Sequence, residues 1–238
     1  MPTISEQTKQ PFKQNPPLEG REAQNQPFLV SWSGGKDSCF AMMQMVAAGN
    51  KPVVLLNALN ESGLISRSHG VPSFILQAQA AAVDLPIHFI SASWTEYEAK
   101  FIAALTSLKE TYGVTTAVFG DIDLQAHKDW EEKVCSATGL TASLPLWQQN
   151  RKILVQQMLE AGIETMIVSC NDQMGEHYLG KILTMELAWE LDTMGIDMCG
   201  ENGEFHTLVL NCPMFKNKID VQVVEKVKHD KYWFCVLA

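Results

Sequence analysis

The chain has 238 residues, of which 46% are hydrophobic and 19% charged, and its 27 acidic against 18 basic side chains give a formal charge of −9. Such a length holds one large domain, or one domain with a small second lobe, and the apolar fraction excludes a wholly disordered chain. No apolar run approaches the ~18 residues of a membrane span, and the negative balance argues against a general nucleic-acid surface while leaving room for one basic cleft. Six cysteines without C-x-x-C spacing, in a chain lacking a secretory leader, are expected to be reduced, buried thiols in a cytoplasmic protein.

Met1 to Gln26 carries four prolines among Gln, Asn, Glu and Lys, with too little aliphatic content to offset its ordering entropy, so residues 1–26 read as a flexible tail. From Pro27, short aliphatic runs alternate with stretches of helical period, the pattern of a parallel sheet covered by helices. Strands are expected at Phe28–Trp32, Val53–Ala58, Ile87–Ile90 and Thr116–Phe119. Helices are expected at Ser38–Ala48, at Pro72–Val83 with Pro72 in the first position, at Thr95–Tyr112 with Thr95 as N-cap, and at His127–Thr138 closed by Gly139. Leu144-Pro145-Leu146-Trp147 reads as a joint. Beyond it come a helix to Ala161, a strand at Thr165–Ser169, a helix over Tyr178–Thr193 and two strands, Thr207–Leu210 and Tyr232–Leu237. The expectation is α/β: a nucleotide-binding lobe over residues 27–140 and a smaller substrate lobe over 141–238.

Ser33-Gly34-Gly35-Lys36-Asp37-Ser38 lies between the first strand and its helix. Glycines there let the backbone turn sharply toward a ligand, free N–H groups at the helix start point at it, and the helix dipole favours its negative charge. Lys36 adds a point charge, Ser33 and Ser38 add hydroxyls, and Asp37 either caps the helix or helps hold Mg²⁺. The Walker spacing is absent. At average residue usage this hexapeptide arises by chance in a chain of this size on the order of once in 10⁴ to 10⁵, so a bland Gly-Gly turn is the weaker reading.

The hexapeptide resembles the pyrophosphate-binding loop of the N-type ATP pyrophosphatases, or PP-loop proteins. That resemblance implies a Rossmann-like nucleotide alpha-hydrolase (HUP-type) fold and cleavage of ATP between its α and β phosphates. The acceptor oxygen is adenylated, and a nitrogen or sulfur nucleophile then displaces AMP. Further along, Gly120-Asp121-Ile122, His127, Trp130, Glu131 and Cys135, Pro145-Leu146-Trp147, and Gly200-Glu201-Asn202-Gly203-Glu204-Phe205-His206-Thr207 with Pro213 and Phe215 follow one another. In this order they resemble the diphthine–ammonia ligase family, from Phe28 to Phe215. The resemblance implies that ATP, Mg²⁺, ammonia and a carboxylate acceptor are the partners. The acceptor is either diphthine on a protein or another carboxylate, because Asn202 and His206 stand where the archaeal and eukaryotic ligases usually have Gly and Glu, as in bacterial members.

Four groups of residues are the remaining candidates. Asp121, past a strand's carboxyl end, either holds Mg²⁺ with Asp37, orients the acceptor, or caps a turn. His127 and Glu131, at i and i+4, share a helix face and either meet substrate or form an exposed pair. Glu201, Gly203, Glu204 and His206 either receive ammonium or a cationic acceptor and move a proton, or only shape a loop. Asn171-Asp172 follows a strand in an equivalent sheet-end position. Catalysis is thus assigned to Lys36, Asp37, Asp121, Glu201 and Glu204. Substrate contacts are assigned to His127, Glu131, Asn171, Asp172, Gly203 and His206. His69, His88 and His177 lack zinc-site spacing, Met42, Met43 and Met45 read as core, and Lys226, Lys228 and Lys231 as a solvated face.

Two other functions compete with amide ligation. A tRNA thiolase or lysidine-type enzyme shares the loop, but paired catalytic cysteines are lacking and the charge is unfavourable. A non-catalytic ATP sensor would not need the acidic motif. A homodimer is compatible with the sequence, and neither nucleic acid nor membrane is expected as a partner.

Overall fold

The computed structural model describes residues 25–238, so the tail reading falls, for residues 1–24, outside the described residues. Strands β1 (Pro27–Ser31), β2 (Lys51–Leu59), β3 (Ile87–Ser91), β4 (Thr116–Val118) and β5 (Thr141–Ser143) form a sheet in the order β3-β2-β1-β4-β5. Every pairing in it is parallel. Side-chain alternation explains the layers. Phe28 and Val30 of β1 enter one core while Leu29 enters the other, and Leu55 of β2 opposes Val54 and Leu56 in the same way. Helices α3 (Tyr97–Tyr112) and α4 (Gln125–Thr138) cover the Leu29 face with Phe101, Leu105 and Val134. The Phe28 face receives α1 (Lys36–Ala47) and α2 (Ser73–Ala82), whose Phe40, Met42, Ile75 and Leu76 are fully buried. Each such side chain contributes roughly 1.5–3 kcal/mol.

The second lobe is built on an antiparallel sheet, β7-β6-β9-β8. Its strands are β6 (Glu164–Asn171), β7 (Phe205–Asn211), β8 (Val223–His229) and β9 (Tyr232–Leu237), with α5 (Arg151–Glu160) and α6 (Met185–Thr193) beside it. The core is continuous between lobes, since Phe28, Phe40 and Leu76 cluster with Met166, Val168, Phe205 and Leu208. Helix α1 is therefore wedged between the two sheets, and its position couples the Ser33–Ser38 loop to β7.

Several local expectations change. Residues 141–143, placed in the second lobe by sequence, pair with β4 as the edge of the first sheet. Pro72 is the N-cap of α2 rather than its first residue, and Glu96, not Thr95, precedes α3. Tyr178–Thr193 is not one helix. A single 3₁₀ turn (Glu176–Tyr178) ends at Leu179, and α6 begins only after Thr184, whose side chain accepts from the Leu187 N–H. The intervening residues bond across to β6, with Leu183 N–H donating to Thr165 O at 2.8 Å. β8, with polar and charged residues on an exposed hairpin, has too little apolar alternation to signal itself.

Candidate active site

The chain order reverses at β1, whose neighbours are β2 and β4, and ligands of open α/β sheets bind at the carboxyl ends of strands at such a point. A cleft of about 910 Å³ opens there, between the first sheet and the 199–207 segment of the second lobe. Ser33, Lys36, Asp37, Ser38, Asp121, His127, Glu131, Glu201, Gly203 and His206 all line it.

The Ser33–Ser38 loop is held from several sides. Gly34 sits at φ +83°, a conformation closed to most L-residues, and it turns the chain into α1. Ser33 Oγ accepts from the Gly35 N–H at 3.2 Å and lies 3.0 Å from Ser38 Oγ. Buried Gln79 of α2 donates to Gly34 O at 3.0 Å and to Val209 O at 2.7 Å, while its oxygen accepts from Trp32 Nε1 at 2.9 Å. The Lys36 N–H donates to Thr207 Oγ1 at 3.1 Å. From the other side Gly120 presses so close that a Cβ there would lie 2.7 Å from Asp37 C and Ser38 N.

Lys36 is 3% exposed, and its Nζ donates to both carboxylate oxygens of Asp37, at 3.0 and 2.8 Å, and to Cys199 O. Asp37 is thus the partner of Lys36 and not the helix cap, since the N-cap is Gly35 with no side-chain bond. Burial opposes the Lys36 charge, but Asp37, Cys199 and Glu201 outweigh it and raise the pKa of the ammonium. Burial also raises Asp37, with Lys36 resisting and Asp121 adding to the rise. The same forces, burial and then the charges of Asp37 and Asp121, push Glu201 up to about 8. The cleft therefore holds more carboxylates than its one lysine neutralises.

His127 and Glu131 do not pair with each other, because both converge on Asp121. His127 Nδ1 lies 2.7 Å from Asp121 Oδ1, and that bond raises its pKa. Glu131 is 4% exposed; burial and the adjacent Asp121 push it up to about 10, so at neutral pH it carries a proton. Burial works against Asp121 as well, but hydrogen bonds from His127 and Glu131 keep its pKa low. The two carboxyls are thus pushed apart, Glu131 toward the protonated form and Asp121 toward the ionised one.

The acidic motif divides into two roles. Glu201 faces the cleft, its N–H donating to Asp197 Oδ2 at 3.0 Å. Glu204 does not line the cleft: it is 8% exposed and accepts from Asp197 N, Asn202 N and Asn202 Nδ2, which consumes its oxygens in shaping the turn. Asn171 and Asp172 are not brought to the cleft either. Asn171 Oδ1 accepts from the Met174 N–H in a local turn, and Asp172 Oδ1 takes Trp233 Nε1 at 3.1 Å and Lys228 Nζ at 2.7 Å.

Other cleft residues carry no local sequence signal. Tyr97 stacks on Trp130 with centroids 5.4 Å apart, and the Arg67 guanidinium lies 4.4 Å from the ring centre of Trp94. A side cleft of about 120 Å³ between Tyr97 and the ends of β1 and β2 is lined by Asn57, Arg67 and His69. There Asn57 Oδ1, Arg67 Nε and Nη2, and His69 Nδ1 are buried without hydrogen-bond partners. Arg151, at the start of α5, holds Asp123, Asp197 and Asn202 together. Trp130 and Thr207 did have a signal, since both fall within the motifs.

A parallel sheet with strand order 3-2-1-4-5, a glycine turn feeding a helix beneath the cleft and carboxylates facing it define a PP-loop protein of Rossmann-like fold. Residues 27–142 match the diphthamide synthase N-terminal domain, and residues 150–238 match the diphthamide synthase C-terminal domain. Curated relatives include the diphthine–ammonia ligases of Bos taurus and Homo sapiens, each 32% identical over 232 residues, covering 87% of this chain and 86% of theirs. The Danio rerio diphthine–ammonia ligase is 30% identical over 223 residues, 83% of this chain and 87% of its own. The chain belongs to the diphthamide synthase (diphthine–ammonia ligase) family. All six cysteines are buried free thiols, and no helix among the described residues is long and apolar enough to cross a membrane.

Proposed function

We propose that the protein is an ATP-dependent amide ligase that adenylates a carboxylate of the diphthine type and couples it to ammonia, releasing AMP and pyrophosphate. The observation that carries this reading is the glycine turn at Gly34 feeding α1 beneath a cleft crowded with carboxylates. The turn and the first N–H groups of α1 suit the phosphate chain, with Lys36 at its end. The side cleft suits the edge of a base, because Asn57 Oδ1 accepts while Arg67 donates, and adenine offers one donor beside ring acceptors.

Asp37 and Asp121 lie near enough to raise the pKa of Asp37, and a pair of carboxylates completed by phosphate oxygens is the usual protein share of a Mg²⁺ site. Mg²⁺ bound there would neutralise charge on the departing pyrophosphate. Asp37 and Asp121 would hold the ion, Lys36 would keep its contact with the phosphates, and Glu201 would face the incoming nitrogen. With a pKa near 8, Glu201 can attract ammonium as a carboxylate and take a proton from it, leaving ammonia to attack the adenylate. A cytoplasmic enzyme with a protein-borne or small carboxylate acceptor fits this chemistry. Sulfur transfer fits it less well: Cys199, the cysteine on the cleft wall, is buried and its thiol pKa raised, the reverse of an activated nucleophile.

The test is product analysis. Protein, Mg²⁺-ATP, ammonium and candidate carboxylates should yield AMP with pyrophosphate in proportion to amide. ADP as the sole nucleotide product would overturn the ligase reading.

A further inference from the structure

His69 and His206 come from different elements, the loop before α2 and the second residue of β7, yet their ring centroids lie 4.5 Å apart. The pair rests on the phosphate loop. His69 Nε2 is 2.9 Å from where a Cβ on Gly35 would stand, and His206 precedes Thr207, whose Oγ1 takes the Lys36 N–H. Both rings line the large cleft beside Ser33 and Lys36, and His69 Nδ1 is buried with no partner. The charged groups around them are Lys36 and Asp37 of α1, Glu201 of the acidic turn, and Arg67 two residues before His69.

Burial and the Lys36 charge keep both imidazoles neutral: His69 well below its usual range, after a further push from His206, and His206 down to about 4. Of these influences the Lys36 charge is the one that reverses if an anion of several charges settles on the glycine turn. The anion neutralises Lys36 and sets several negative charges beside the two rings.

We propose that His69 and His206 form a proton-accepting site for the pyrophosphate end of the nucleotide, in which one imidazole takes a proton from solvent as the phosphates bind and the cation so formed stabilises the departing pyrophosphate. The lone pair of a ring nitrogen receives the proton and no bond of the nucleotide changes in that step. The inference rests on the nucleotide reading of the cleft and adds to it a binding group, His69, and a proton count. Proton uptake makes pyrophosphate bind more tightly as pH falls, by up to roughly tenfold per pH unit where uptake is complete.

Histidine-labelled full-length protein, followed by imidazole NMR at about pH 6.5, tests it directly. The free protein should show His69 and His206 as neutral rings. Mg²⁺-pyrophosphate should convert one of them to imidazolium, and AMP, which lacks the outer phosphates, should not. In calorimetry against pH, at least one of His69→Gln and His206→Gln, the one that removes the accepting ring, should reduce the steepness of pyrophosphate binding relative to the unaltered protein, the ligand's own protonation being common to all three. The proposal is overturned if both rings stay neutral at saturation, if pyrophosphate does not bind, or if both variants keep the original pH slope. AMP-forming turnover on the same unaltered sample separates the two ideas. Turnover with neutral rings sinks only the histidine site, whereas absent AMP formation with every acceptor sinks the ligase reading.

Discussion

Arg151 Nη1 lies 2.7 Å from Asp197 Oδ2, and the same Asp197 oxygen accepts from the Glu201 N–H. Arg151 also grips Asp123, three residues past Gly120, so a single guanidinium ties the loop after β4 to the acidic motif of the other lobe. The two walls of the cleft are therefore spaced by this side chain.

Arg151→Ala should leave Asp197, 11% exposed, without its counter-ion and let the Glu201 turn drift. With Arg151 itself 23% exposed, solvent screening keeps the stability loss to ~1–2 kcal/mol. Turnover should suffer more, roughly 10- to 100-fold in kcat, because misplacing a reacting group costs more than the contact itself. Arg151→Lys keeps the charge but not the fork that reaches both aspartates and should fall between. Steady-state kinetics with chemical denaturation check this, and unchanged kcat in Arg151→Ala would separate the strut from catalysis.

Lys36→Ala should abolish measurable AMP release, a loss of at least roughly 100-fold, through lost stabilisation of charge on the leaving group. It should also destabilise the fold by ~1–2 kcal/mol at neutral pH, since Asp37, 24% exposed, then stands half-buried without its ammonium. Asp37 already has a raised pKa and can take a proton instead, so the deficit should shrink as pH falls. Adding Asp37→Asn to Lys36→Ala should restore stability without activity. Thermal unfolding of the single and double variants at two pH values reads out both parts.

Much of the chemistry was legible because it is local. Gly34-Gly35-Lys36 has to follow a strand and open a helix, and Gly120-Asp121 sits at a strand's end, so pattern alone placed both at the sheet edge. The acidic motif was visible too, but composition could not divide Glu201, which faces the cleft, from Glu204, whose oxygens are taken by N–H groups of its own turn. Asn171 and Asp172 show the same limit, since a polar pair at a strand end is equally a turn. Arg151, Gln79, Asn57 and the His69–His206 pair act across tens of residues of chain, and no spacing rule reaches that far. The broken helix over 178–193 failed for a related reason: its apolar period was real, but buried Leu179 only closes a single 3₁₀ turn on Glu176 O, and buried Leu183 bonds across to Thr165 of β6 instead of along a helix.

Gln79→Ala tests how far the phosphate loop depends on the second lobe. Gln79 is fully buried and makes three hydrogen bonds, to Trp32, Gly34 and Val209. Truncation strands the indole N–H of Trp32, removes a bond from Val209 O and one of the two on Gly34 O, which keeps the Val209 N–H, and opens a void, for a cost of ~2–4 kcal/mol. Nucleotide affinity should fall alongside stability, because Gly34 loses one of the bonds that fix its turn. Calorimetric unfolding with and without ATP measures both, and a variant as stable as the unaltered protein would show that water replaces the amide.

Glu131→Gln should reveal a pH dependence that originates in the proton on Glu131. The folded-state pKa of Glu131 is about 10, against an ordinary glutamate value of 4.5 in the unfolded chain. Between those values the folded protein binds the extra proton, so this residue's contribution is fully present below pH ~4.5 and is lost as pH rises toward 10. Glutamine mimics the protonated carboxyl, can still donate to Asp121, and has no proton to lose. The variant should match the unaltered protein near pH 5 and exceed it by up to ~4 kcal/mol near pH 8, a ceiling that coupling to Asp121 lowers. Urea unfolding at both pH values checks the sign. A variant that loses ground as pH rises would mean that Glu131 is ionised in the fold and that the proton belongs elsewhere in the cleft.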